Sequence, residues 1–269
     1  PRQPARMKRF ALGIEYDGAA FRGWQSQAHG QTVQDALERA LTSVASKEIR
    51  VICAGRTDAG VHALGQIVHF DCPVDRPATA WVRGTNAHLP PQVAVRWASE
   101  VDPRFHARFD ALSRSYTYLL HNHPVRPALR HGHIGWHHRP LDAGHMHEAA
   151  QALLGEQDFS AFRAAECQAK TPVKIMHEAR VRRHGEIIVF DFRASAFLQH
   201  MVRNIVGALV HVGQGREPVS SIPRLLASRD RTRAAPTFSP AGLYLTSVEY
   251  AAHWQIPATE RIMLPFPTP

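Results

Sequence analysis

The run Ala54-Gly55-Arg56-Thr57-Asp58-Ala59-Gly60-Val61-His62-Ala63 sets one carboxylate and one guanidinium in a short polar turn bracketed by two glycines. Glycine admits left-handed or tight backbone and lets another main chain come close. Residues 51–54 and 66–70, on either side, are apolar and read as strands. A carboxylate lifted off strand ends in this way is placed to act on a bound ligand as nucleophile or base. The plainer alternative is an Asx turn, with Asp58 bonding only local amides. Arg56 is open to two readings as well, an anion contact or a salt bridge within the loop. His62 is expected to make a structural hydrogen bond.

The surrounding chain supplies the elements that hold such a turn. Residues 8–16 alternate Phe10, Leu12, Ile14 and Tyr16 on one face, a strand pattern. Thr32 can cap a helix whose apolar face is Val33, Leu37, Ala40, Leu41 and Val44. Residues 78–89 read as a helix stopped by Pro90 and Pro91, and 93–98 as a strand. Further on, 113–120 is strand-like with Tyr116 and Tyr118 on one face, and Asp142 caps a helix running to Leu154 before Gly155. Residues 174–183 and 186–192 form a hairpin about His184 and Gly185. A helix over 200–212 buries Met201, Val202, Ile205, Val206 and Leu209, leaving Arg203 and Asn204 off that stripe. A short helix over 222–228, a strand over 242–250 and a proline-rich irregular tail from Pro257 complete the chain. Strands and helices in mixed order imply an α+β fold with helices packed on a sheet. Residues 1–105 form an amino-terminal half that carries the Asp58 loop, and 106–269 a second half, with no clear sequence repeat between them.

At 269 residues and 44% hydrophobic content the chain can bury one large core or two modest ones. No apolar run approaches the roughly 20 residues of a membrane-spanning helix. Pro1 to Arg9 is basic without a hydrophobic segment behind it, which is not the pattern of a secretory signal. Cys53, Cys72 and Cys167, an odd number at wide spacing, fit neither a disulfide framework nor a zinc site and point to a cytoplasmic setting. A net charge of +9, carried mostly by arginine, favours a polyanionic partner, since guanidinium forks match phosphate. Arg126, Arg130, Arg180, Arg182 and Arg183 are expected to add to that basic field. His131, His133, His137, His138, His145 and His147 crowd one region without a carboxylate or cysteine completing a ligand set, so no metal is assigned to them.

The string from Gly55 to His62 resembles the signature loop of the tRNA pseudouridine synthase A family. Glu15-Tyr16-Asp17-Gly18 and Gly23-Trp24-Gln25 are similar to that family's first strand and loop. Phe105-His106-Ala107-Arg108-Phe109, Arg114-Ser115-Tyr116-Thr117-Tyr118, Met201-Val202-Arg203-Asn204-Ile205-Val206-Gly207 and Gly242-Leu243-Tyr244-Leu245 follow in the family's order. The matches run from about residue 10 to about residue 250.

The resemblance implies a mixed, mainly antiparallel central sheet flanked by helices, in two structurally similar halves around a basic cleft. It implies a homodimer that isomerises uridine to pseudouridine at positions 38, 39 and 40 of the tRNA anticodon stem-loop. It carries the catalytic carboxylate onto Asp58 and the stacking aromatic onto Tyr116. The reaction breaks the bond from ribose to uracil N1 and joins ribose to C5, which is redox-neutral, so no cofactor is demanded. Asp58 can attack ribose C1′ or uracil C6, or act as base at C2′. A carboxylate in a closed site needs a nearby cation to stay ionised, and Arg203 is the candidate. Arg56 is assigned to phosphate or the vacated base position, and Leu243 to an apolar wall under the base. A base in a stem must leave its stack, which costs a few kcal/mol, and stacking on an aromatic returns roughly 1–3 kcal/mol. Two rivals are a non-catalytic RNA-binding module and a nucleosidase, but the latter usually needs a second carboxylate as acid.

Overall fold

Residues 7–74 and 76–258 are described by the computed structural model of the chain. They divide into two compact units, residues 7–112 with 245–258, and residues 113–244. A single junction near residue 105 would leave the last strand in the second unit, whereas 245–258 cluster with the first. The fold class is α+β, with strands paired mainly antiparallel and five α-helices among the described residues.

The first unit holds β1 (Lys8–Tyr16), α1 (Val33–Ala45), β2 (Ile52–Cys53), β3 (His62–Cys72), α2 (Ala78–His88) and β4 (Val93–Val101). β1 lies between β3 and β4, antiparallel to both, with Phe10 opposite Phe70 and Leu12 opposite Val68. Trp81 of α2 closes this core, its ring 5.2 Å from Phe10 and 5.1 Å from Phe70. Thr32 caps α1 as expected, accepting the Asp35 N–H at 3.2 Å. β2 is shorter than the 51–54 expected: Ile52 and Cys53 pair with His69 and Val68 of β3, and Ala54 adds one N–H bond to the Ile67 carbonyl at 2.8 Å.

The second unit holds β5 (Ala111–Asn122, starting two residues before it), β6 (Gly135–His137), α3 (Ala143–Ala150), β7 (Gly155–Asp158), β8 (Val173–His184), β9 (Ile187–Ala194), α4 (Met201–Gly213) and α5 (Ser221–Ser228). β9 pairs antiparallel with β5 and β8, and β6 runs parallel to β5. Asp142 caps α3, accepting the His145 N–H at 2.9 Å. The last expected turn of that helix tightens into a 3-10 turn over Gln151–Leu153, and Gly155 follows with φ +83°. β10 (Leu243–Tyr250) leaves this unit and returns to the first, where it borders β3. α4 corrects one expectation: Arg203 is half-buried, but Asn204 is fully buried rather than off the packed face. The proline-rich tail expected from Pro257 lies mostly outside the described residues.

A buried imidazole in the first unit gives a pH-dependent contribution to stability. His69 accepts the Ala107 N–H at Nδ1 (3.1 Å), and its ring meets His106 edge-on at 4.8 Å. Burial, with the positive charges of Arg9 and His106 behind it, pulls its pKa down to about 4. In the unfolded chain it titrates near 6.5. Between these values the unfolded state binds the extra proton, so stability falls as pH falls from 6.5 toward 4 and is intact above 6.5. His69→Asn keeps an acceptor near Nδ1 and removes the titration. Thermal unfolding from pH 7 to pH 4.5 should cost the wild type on the order of 1–2 kcal/mol more than this variant. Parallel curves would dismiss the role of His69.

Candidate active site

The Asp58 turn is fastened through its main chain. The Gln66 side chain, fully buried on β3, donates from Nε2 to the Gly55 carbonyl at 2.6 Å and accepts the Gly55 N–H at 3.4 Å. One amide thus stands in for a missing ladder partner. Thr57 is held twice: its hydroxyl lies 2.8 Å from the Tyr16 hydroxyl, and its carbonyl accepts the Trp24 N–H at 3.0 Å. The turn closes with the Val61 N–H donating to the Asp58 carbonyl at 3.1 Å, and Gly60, its third residue, has φ +78°. Positive φ at that position selects glycine. This closing bond is made by the backbone.

Around this turn, Asp58 and Gly60 are half-buried, Thr57 is buried, and Arg56 and Ala59 are exposed. His62 is buried and accepts the Gly18 N–H at Nδ1 (3.0 Å), the structural bond expected of it. Gly18 is required there, because a Cβ would sit 1.9 Å from the Val61 carbonyl oxygen. Gly23, φ +88°, presses on the turn from another side, with Thr57 O, Ala59 N and Asp58 C within 3.1–3.3 Å of where its Cβ would be. Arg56 makes no salt bridge among the described residues. Cys53, just before the turn, is no rival nucleophile: burial pushes its thiol up to about 12.

In the second unit, Tyr116 lies on β5 opposite Phe192 and is 8% exposed. Its ring meets Phe197 at 5.0 Å and 82°, an edge-to-face contact that fixes its plane. Tyr118, two residues on, is fully buried and donates to the Ser239 carbonyl at 2.9 Å; burial raises its hydroxyl above the ordinary tyrosine range, opposed by the nearby Arg203 charge. Arg203 donates from Nε to the Phe238 carbonyl at 2.8 Å, and its own carbonyl accepts the Phe238 N–H at 3.3 Å. Leu243, the first residue of β10, is 5% exposed.

Two of the arginines expected in the basic field are occupied within the unit. Arg182 pairs with Asp191, and Arg183 donates to the Asn122 side chain and the Leu141 carbonyl. Arg126 and Arg180 are exposed and Arg130 is half-buried. The imidazole-rich stretch contains β6, and His137 contacts Gln214 at 2.6 Å. Sequence pattern does not mark Gln66 or the buried state of Asn204, and it gives Gly18 and Gly23 only as parts of the family's first strand and loop. A glutamine heading the strand residues Ile67-Val68-His69-Phe70 is the signal available for Gln66.

A family model described as tRNA pseudouridine synthase matches residues 13–110 and 149–251. Asp58, Arg56, Arg203 and Leu243 lie in the matched spans, and Tyr116 lies in the gap between them. A protein of Aromatoleum aromaticum named tRNA pseudouridine synthase A is 60% identical over 256 residues, 95% of this chain and 97% of the relative. Proteins of the same name from Methylobacillus flagellatus and Dechloromonas aromatica are each 61% identical, over 94% and 93% of this chain and 97% and 95% of their own lengths. With three-quarters of its length under one family model and relatives this similar from end to end, the chain belongs to the tRNA pseudouridine synthase family.

Proposed function

We propose that this chain isomerises uridine to pseudouridine in tRNA, at positions 38, 39 and 40 of the anticodon stem-loop, as a cytoplasmic homodimer without a cofactor. The amino-terminal half brings the catalytic loop and the second half completes a basic cleft for the RNA. The observation that carries the chemistry is the Asp58 turn. A half-buried carboxylate sits on a backbone fastened at Gly55, Thr57 and Val61.

The target nucleotide leaves its stack, and the Tyr116 ring receives the uracil face. Asp58 acts on the ribose or the ring, at C1′ or C6 as nucleophile or at C2′ as base. The bond from C1′ to N1 breaks and the ring turns. C1′ then bonds to C5, the C5 proton leaves to solvent, and N1 takes up a proton, so atoms and electrons balance. Arg203 supplies the positive charge that keeps a carboxylate ionised in a closed site. Arg56 holds phosphate or the vacated base position, and Leu243 walls the base from below.

Release of the C5 proton gives the test. tRNA labelled with tritium at uridine C5 should lose label to water in step with pseudouridine formed at positions 38–40. A preparation that binds tRNA and releases no tritium would leave only the RNA-binding module. Release of free uracil would make it a nucleosidase.

A further inference from the structure

Asn204 is a fully buried amide on α4, next to Arg203, and every polar atom of its side chain is engaged. Its Nδ2 donates to the Phe162 carbonyl at 2.8 Å. Its Oδ1 accepts from Arg231 Nη2 at 3.0 Å and from the Thr237 hydroxyl at 2.7 Å. Arg231 Nη2 also donates to Thr237 Oγ1 at 3.1 Å, closing a triangle, while Nη1 reaches the Ala235 carbonyl at 3.1 Å. Two further contacts hold the same strap, residues 231–238, one against α4 and one against β5. Gly207 has no room for a Cβ, which would sit 2.5 Å from the Pro236 carbonyl oxygen. The Phe238 ring meets Tyr118 edge-on at 5.8 Å.

The residue after Thr237 is Phe238, whose carbonyl receives Arg203 Nε. Arg203 Nε is therefore tied to a carbonyl that the strap carries. A surface loop could be tied down by many side chains. What marks this one is a buried amide, an arginine and a threonine converging one residue before the carbonyl that orients Arg203.

We propose that Asn204, Arg231 and Thr237 form a positioning network that aims Arg203 for the reaction, with Phe238 as the link. This rests on the role given to Arg203 above. None of the three is a catalytic residue, since they act through another side chain.

A double-mutant cycle tests it. Thr237→Val keeps the shape and removes the donor to Asn204, and Arg203→Lys keeps the charge but loses the Nε contact to Phe238. Single-turnover tritium release at saturating tRNA should fall about tenfold in Thr237→Val, with KM within about twofold of wild type. The acid limb of the rate profile should move to higher pH, because a misaimed cation stabilises the carboxylate less. Thr237→Ser should restore both. In the Arg203→Lys background, Thr237→Val should change the rate less than about twofold. Arg231→Lys, which keeps charge and loses the forked donors, should repeat the pattern. Equal losses from Thr237→Val in both backgrounds, or no loss in the wild type, would overturn the positioning role. An Arg203→Lys enzyme as fast as wild type with an unmoved acid limb would instead remove Arg203 from the proposed function, and the network's purpose with it.

Discussion

Asp58→Asn is expected to lower tritium release by at least about a thousandfold while tRNA affinity stays within about threefold of wild type. The substitution keeps size and polarity and removes the charge and the attacking lone pair together. Folding should be spared, since the turn is closed by the Val61 N–H on the Asp58 carbonyl and fastened by Gln66, Tyr16 and Trp24, none of which uses the carboxylate. A thermal midpoint within about 2 °C of wild type would confirm that the loss is chemical. The neighbours offer no substitute nucleophile: Cys53 is buried with its thiol pushed up to about 12, and His62 is buried against the Gly18 N–H. Single-turnover release and direct tRNA binding, measured on the same preparation, separate chemistry from recognition. Turnover within tenfold of wild type would show that Asp58 only shapes the turn, as in the Asx-turn reading.

The parts of this molecule legible in its sequence are those fixed by neighbours in the chain. β1 runs over Lys8–Tyr16 because its alternation of Phe10, Leu12, Ile14 and Tyr16 is a local pattern, and Thr32 caps α1 because capping reaches only three residues. The hairpin of β8 and β9 was equally visible, with Gly185 taking φ +57° at its turn. Asn204 departs from its local pattern for the opposite reason. Helical periodicity marks it as outside the apolar stripe, but Arg231, Thr237 and Phe162 arrive from distant segments and satisfy its amide in the core. β6 was hidden because its three residues, Gly135–His137, gain strand geometry only by lying beside Leu120, His121 and Asn122. The Asp58 turn was found by its glycines, but the clamp on it was not, since Gln66 is eleven residues from Gly55 and looks like one polar lapse in a strand.

Gly23→Ala should lower the single-turnover rate about 30- to 100-fold while costing only about 1–2 kcal/mol of stability. With φ +88°, Gly23 holds a conformation that L-residues resist, which accounts for the stability cost. The rate loss has another source. The new methyl would meet Thr57 O, Ala59 N and Asp58 C at 3.1–3.3 Å, tighter than ordinary carbon contacts by a few tenths of an ångström. Gly23 itself is anchored, its carbonyl accepting the Val33 N–H at 3.2 Å at the start of α1, and Trp24 next to it donates to Thr57. Strain placed between the two main chains reaches the turn through the Trp24 bond to Thr57 and displaces Asp58. Gly30→Ala supplies the control. Gly30 also has positive φ, +67°, but the nearest atom to its would-be Cβ is the Arg39 guanidinium at 3.8 Å, far from the turn. It should lose comparable stability and keep its rate. If the two variants lose activity equally, displacement of the turn is not the cause; if Gly23→Ala turns over at the wild-type rate, the fit of this glycine against the Asp58 loop carries no catalytic consequence.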